Sequence, residues 1–105
     1  GIGLQPVADW ATPAPWLFSI TVDEREYGLS RDALMDKLAT EGFETRPFFM
    51  SLHHLPPFQK ESRARRDHLP VTERLSASGM NLPSFPGLRD AELERLCEII
   101  RRLRC

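Results

Sequence analysis

What this chain has little of narrows it first. It carries two cysteines, Cys97 and Cys105, too few and too badly placed for a disulfide framework, so a reducing cytoplasm is the default expectation. No apolar run approaches the roughly 20 residues needed to span a bilayer. The start of the sequence has no basic flank followed by an apolar run, so no signal peptide is expected. Charge of one sign is also missing: 14 basic residues against 15 acidic ones leave a formal net charge of -1. That balance gives no global pull toward nucleic acid or an anionic membrane. Internal repeats and low-complexity tracts are absent, and there are only two lysines, Lys37 and Lys60. What remains is 105 residues with 41% hydrophobic and 28% charged content, one domain's worth of ordinary globular chain with a modest core of its own.

The order of elements follows from local patterns. Residues 1–15 hold Pro6, Pro13 and Pro15 around Trp10 with no period of either kind, which predicts an irregular lead-in; residues 16–105 form the domain proper. In Trp16–Asp23, Phe18, Ile20 and Val22 alternate with Ser19 and Thr21, the pattern of a half-buried strand. Ser30 is placed to cap a helix to about Glu41, with Leu34 and Leu38 on one face and Gly42 as its stop. Thr45–Met50 reads as a second strand, although Pro47 inside it demands an edge or a bulge. His53 to His68 reads as a long loop, or a loop with a poor helix. Pro70 suits the first turn of a short helix to about Ser78, closed by Gly79. Met80–Phe85 is a third short strand. A last helix over about Asp90 to Arg104 gathers Leu93, Leu96, Cys97, Ile100 and Leu103 on one face and turns Glu92, Glu94, Arg95, Glu98 and Arg102 away. The sum is β-α-β-loop-α-β-α, an α/β (α+β) two-layer sandwich: a small sheet of about three strands with helices on one face.

Two clusters invite a ligand and have plainer explanations. Three histidines raise the question of a metal, but His53 and His54 are adjacent and on an extended segment would point in opposite directions. Neither cysteine has a partner at zinc-motif spacing, so no metal is expected. Arg63, Arg65 and Arg66 beside His68 are broken by Ala64 and followed by Asp67, with no interleaved aromatics. A solvated loop explains them and no nucleic-acid partner is expected. Arg101, Arg102 and Arg104 sit where a helix C-terminus favours cations. Cys97 falls on the apolar face and is read as core, which leaves Cys105 as the exposed-thiol candidate.

Two stretches, taken together, resemble one family. The runs YGLSRDALMDKLATEGFETRPFFMSLHHLPPF and LPVTERLSASGMNLPSFPGLRDAELERLCEII are similar to the C-terminal domain of the DegT/DnrJ/EryC1/StrS family, and within it to perosamine-synthase-like members. These are pyridoxal-phosphate-dependent aminotransferases acting on nucleotide-linked keto-sugars. Nearly the whole chain can be laid on the family's pattern, which is a helix with R-x-x-L-x-x-x-L spacing, then G-I-E-T-R-P-x-F-x-P-x-H-x-x-P-x-F/Y, then x-L-P-x-x-P-x-L before the terminal helix. Met50 and Ser51 stand where the family often has proline, which questions the local turn. Arg89 stands where it commonly has Thr or Ser, so Asp90 is the residue to cap the last helix if any does.

The resemblance implies the small domain of a fold-type I aminotransferase, a nucleotide-sugar substrate, a large cofactor-binding domain as partner, and a homodimeric parent. It also implies a lysine whose amine forms the Schiff base with pyridoxal phosphate. That lysine belongs to the family's N-terminal domain, and neither Lys37 nor Lys60 matches its position. No cofactor is therefore expected to bind this chain alone, and it is expected to be inactive alone. The parent would move an amino group, from glutamate, to a nucleotide-diphospho-keto-sugar.

The site residues the resemblance implies are Arg46, Phe48, His53 and Asn81, each with a plainer alternative. Arg46 would meet phosphate or carboxylate with its guanidinium, or be a solvated strand-edge charge. Phe48 and Phe49 would alternate across the strand as core aromatics, with sugar or base stacking open to the outward one. His53 would hydrogen-bond sugar hydroxyls or the cofactor region, or be a loop histidine bonded to backbone. Asn81 would approach substrate or serve the turn. A different class of function also stands: a non-catalytic binding or assembly module with the same fold. If the domain reading holds, Trp10 and Trp16 should be exposed for a further domain. If the chain works as a free module, that face should be polar or covered.

Overall fold

The structure, a computed structural model, describes residues 1–14 and 16–104; Pro15 and the thiol candidate Cys105 lie outside them. Alternation makes strand β2 (Phe18–Val22), in which Ile20 and Val22 are buried and Ser19 and Thr21 lie on the opposite face. Strand β4 (Gly79–Leu82) pairs antiparallel with it, Phe18 opposite Leu82 and Ile20 opposite Met80, so Ile20 and Met80 share the core face. Pro83, which lacks an N–H, follows where that strand ends, short of the expected Phe85.

The lead-in contains a strand that its prolines hide. Strand β1 (Ile2–Leu4) pairs antiparallel with β2, Ile2 opposite Val22 and Leu4 opposite Ile20. Three residues are too few to show a period; pairing to β2 makes this strand. The second expected strand shrinks in turn, from Thr45–Met50 to β3 (Arg46–Pro47). Arg46 lies opposite Asn81 and Pro47 opposite Met80, and Phe48 N–H then donates to Gly79 O at 3.0 Å. There the partner strand begins, because a helix ends at Ser78, and beyond that point Phe49 O accepts from Ser76 Oγ on the helix at 2.9 Å instead of from a strand. The sheet order is β1-β2-β4-β3, four strands with β3 at an edge, where a proline is tolerated.

Helices follow their caps. Asp23 accepts from the N–H groups of Arg25 and Glu26 and starts a one-turn helix, α1 (Glu24–Tyr27), which Gly28 closes at φ 92. This turn is not among the expected elements, and its Tyr27 is a core residue that donates to Ile100 O at 2.5 Å. Helix α2 (Arg31–Thr40) has the expected cap, Ser30 Oγ accepting from Ala33 N–H at 3.2 Å, and the expected stop, Gly42 at φ 88. The loop after His53 carries more structure than expected: a 3-10 turn at Leu52–His54 and helix α3 (Gln59–Arg65). Ser51 O accepts from His54 N–H at 2.9 Å, so the turn forms without the family's proline. Helix α4 (Pro70–Ser78) starts at Pro70 as its sequence suggests.

Helix α5 (Asp90–Arg102) corrects two expectations. Asp90 does not cap it. The Glu92 carboxylate instead accepts from Arg89 N–H at 3.0 Å and from the Arg89 guanidinium at 3.2 Å, half of a capping box. Its buried residues are Leu96 and Ile99, with Ile100 and Leu103 beside them; Leu93 and Cys97 are exposed. Ile99 takes the inward position, and two residues' rotation, about 200°, turns Cys97 outward.

Ile20, Val22 and Met80 from the sheet meet Tyr27, Leu34, Leu38, Phe43, Leu96 and Ile99 from the helices and the α2–β3 connection, a single core between two layers. Glu41, at the end of α2, ties that helix to α5: it accepts from Arg102 at 2.5 Å and Arg95 at 3.4 Å, and Arg95 also stands 5.3 Å over the Phe43 ring.

Two predictions follow from local geometry. A Cβ on Gly79 would overlap the Phe48 ring, so Gly79→Ala should cost about 1–3 kcal/mol by overpacking. A denaturant midpoint within error of the parent would show that the ring moves aside freely. For the α5 cap, the Arg89 guanidinium, and then its N–H, hold the Glu92 carboxyl below its ordinary range. A lowered folded value stabilises above the unfolded carboxyl range and is lost as pH falls through that folded value. Glu92→Gln should therefore lower the melting temperature at pH 7 and make a smaller difference at a second, acidic pH below the ordinary carboxyl range, as the parent carboxyl takes up its proton. An equal deficit at both pH values would assign the loss to packing rather than to the cap.

Candidate functional site

Edge strand β3 and its neighbour β4 position two of the expected residues together. Arg46 is exposed at the strand edge, paired with Glu44 at 2.5 Å, and lies opposite Asn81 in register. Both line a cleft of about 600 Å³ whose other walls include Trp16, Phe43, Phe85 and Glu92. Asn81 is oriented by β2: its Oδ1 accepts from Ser19 Oγ at 2.8 Å. The cleft therefore offers one guanidinium, one side-chain amide and aromatic walls, with the Glu44 and Glu92 carboxylates beside them, a set suited to a polar ligand that carries a ring and hydrogen-bonding groups.

Phe48 lies on the other side of Asn81. It packs against Gly79 and, with Leu17, Phe49, Leu75 and Asn81, lines a second, apolar cleft of about 370 Å³. Phe49 is the outward member of the aromatic pair.

His53 belongs to neither cleft. Its side chain is only 7% exposed, and Nε2 stands 2.9 Å from Glu73 Oε1 on α4. His54 follows it round the 3-10 turn with ring centroids 4.1 Å apart and its Nε2 4.0 Å from the same oxygen. Glu73 also accepts from Leu69 N–H at 3.4 Å. The hydrogen bond with His53, aided by the one from Leu69 and opposed by partial burial, holds the Glu73 carboxyl below its ordinary range. The turn also removes the reason given for excluding a metal, since the two rings lie side by side rather than on opposite sides. Glu73, which completes this group, was missed; it lies 20 residues from His53, and no local pattern links them.

Trp10 and Trp16 are 90% and 78% exposed, and Phe49, Met50 and Leu52 are exposed as well. No helix among the described residues is long and apolar enough to cross a membrane.

Similarity to known proteins agrees with the two sequence stretches singled out above. A profile of the DegT/DnrJ/EryC1/StrS aminotransferase family matches residues 1–101. A GDP-perosamine synthase of Vibrio cholerae is 40% identical over 86 residues, 82% of this chain and 23% of that protein. A GDP-perosamine synthase of Caulobacter vibrioides is 32% identical over 83 residues, 77% of this chain and 21% of that protein. Among solved structures, DesI in the presence of its TDP-sugar product superposes with TM-score 0.73 at 31% identity, covering 82% of this chain and 21% of that one. A DegT DnrJ EryC1 StrS aminotransferase from Brucella abortus superposes with TM-score 0.76 at 22% identity, over 98% of this chain and 26% of that one, a likeness of fold. The chain spans less than a quarter of the length of the curated relatives it matches.

Proposed function

The chain belongs to the DegT/DnrJ/EryC1/StrS aminotransferase family, and on that premise we propose that it is the small C-terminal domain of a pyridoxal-phosphate-dependent enzyme. That enzyme moves an amino group from glutamate to a nucleotide-diphospho-keto-sugar. The observation that carries this is the 40% identity to a GDP-perosamine synthase, confined to 23% of that protein's length.

The cofactor does not fit the residues of this chain. Its covalent attachment needs a lysine amine in a pocket, whereas Lys37 on α2 and Lys60 on α3 are exposed and line none of the clefts described above. In this reading the cofactor is held by a larger domain of the same enzyme. The exposure of Trp10 and Trp16 supports such a partner and counts against a free-standing module, whose face there should be covered. A homodimeric parent goes with the family resemblance. Two cysteines in 105 residues, too few for a disulfide framework, go with a cytoplasmic setting.

Within that enzyme the cleft between β3 and β4 faces substrate. Arg46 gives up its solvated pairing with Glu44, which holds it only weakly, to meet a diphosphate oxygen; Asn81, fixed by Ser19, meets a hydroxyl. Phe48 holds the strand edge against Gly79, and His53, anchored on Glu73, fixes the loop that follows. The test is an assay of the whole enzyme with glutamate and a nucleotide-keto-sugar, reading 2-oxoglutarate release. Arg46→Ala should raise KM for the sugar nucleotide about tenfold or more, the worth of one charge-assisted hydrogen bond of about 1.5 kcal/mol, with kcat little changed. An unchanged KM would remove Arg46 from the site. Failure of the whole enzyme to release 2-oxoglutarate with any nucleotide-keto-sugar would remove the activity itself.

A further inference from the structure

Away from the β3–β4 cleft, three metal-ligating side chains converge on the outer side of the loop after β3. The 3-10 turn sets the His53 and His54 rings 4.1 Å apart. Glu73, projecting from α4, places one oxygen 2.9 Å from His53 Nε2 and 4.0 Å from His54 Nε2. One donor atom from each of the three residues lies within 4.8 Å of the others. We propose that His53, His54 and Glu73 form a binding site for a divalent metal ion of the zinc class, joining the loop to α4.

The spacing is the first argument. A tetrahedral ion with bonds of 2.0–2.1 Å holds its ligand atoms about 3.3 Å apart. The two nitrogen-to-oxygen distances, 2.9 and 4.0 Å, bracket that value, so these two contacts need sub-ångström shifts to close on an ion, and the two histidine nitrogens start within 4.8 Å of each other. The residues that must shift can do so: His54 has 55% of its side chain in solvent, while the nearly buried His53 serves as the fixed ligand. Ligand chemistry is the second argument. Two imidazoles and a carboxylate suit zinc and its neighbours rather than calcium or magnesium, which prefer all-oxygen sets. Three protein ligands leave a fourth position open to water or a substrate atom. The surroundings set the strength. Asp67, Arg63 and Arg66 line the same cleft of about 250 Å³, and Asp67 is already engaged by Arg65 at 2.8 Å. The two arginines oppose a cation while Glu73 favours it, which places the affinity in the micromolar range rather than below it.

The site stands independently of the aminotransferase reading, and its failure leaves that reading intact. The test is calorimetric titration of the 105-residue chain with Zn²⁺ at neutral pH, with Cys97→Ser and Cys105→Ser introduced to remove competing thiols. One ion should bind per chain with micromolar Kd and raise the melting temperature, as a ligand specific to the folded state must. His54→Ala, which removes a half-exposed ring and leaves the His53–Glu73 contact in place, should weaken binding about tenfold or more without changing the metal-free melting temperature. Proton NMR should show the imidazole signals of His53 and His54 moving with Zn²⁺ while those of His68 stay. Absence of saturable binding up to about 1 mM, roughly a thousandfold above the expected Kd, would overturn the proposal. So would unchanged affinity in His54→Ala, or a response centred on His68.

Discussion

Leu38→Ala is expected to lower the unfolding free energy of the chain by about 3–4 kcal/mol, within the range for buried leucine truncations. Leu38 is fully buried in the core that joins α2, α5 and the sheet, and its carbonyl accepts from Phe43 N–H at 2.8 Å. The substitution keeps the helix, since alanine is the best helix former. What it removes is contact with both layers at once, leaving a void that rigid neighbours on the strands fill only in part. Against a total of about 5–15 kcal/mol for a domain, the loss is a large fraction. Lys37→Ala, one residue away and exposed, is the control and should change stability by less than about 0.5 kcal/mol. Equal effects from the two in urea unfolding would mean that α2 does not present this face to the core.

The second large effect is an all-or-none absence. Incubating the chain with pyridoxal phosphate and then borohydride is expected to leave no stoichiometric, site-specific adduct. A lysine that serves such a cofactor is activated by desolvation or a neighbouring cation inside a pocket. Lys37 and Lys60 are both exposed. Peptide mapping should find at most scattered, substoichiometric labelling that a nucleotide sugar does not protect. One full equivalent at Lys37 or Lys60, protected by sugar nucleotide, would place the cofactor lysine in this chain after all.

Local chemistry made much of this fold legible. The β2 alternation, the Ser30 cap, the Gly42 stop and the Pro70 start each act within a few residues, and each is found where its signal lies. What escaped the sequence depends on distant partners. Strand β1 exists because β2 offers an edge, and β3 stops at Pro47 because β4 begins at Gly79. The stripe on α5 was ambiguous by one position, as Leu96 can be followed by Cys97 or by Ile99 in a helical pattern; packing chose Ile99. One miss was avoidable: Asp23 followed at Gly28 by a glycine is a complete cap-and-stop signature for α1.

The candidate site divides in the same way. Arg46 and Asn81 lie opposite each other across β3 and β4, and both had been singled out from the sequence. The likeness pointed to His53 as well, but not to its pairing with Glu73, which links the 3-10 turn to α4 across 20 residues. The adjacent-histidine argument failed for a specific reason: it assumed extended backbone, and a tight turn rotates successive side chains through much less than half a circle.

The central claim is that this chain completes a larger, cofactor-bearing aminotransferase. Its most direct test is the intact mass of the native gene product purified from its own cells. A mass several times the 12.0 kDa of this chain is predicted, in keeping with its covering 23% and 21% of two relatives. A native product of 12.0 kDa would contradict the account and leave a domain that works without a cofactor-bearing half.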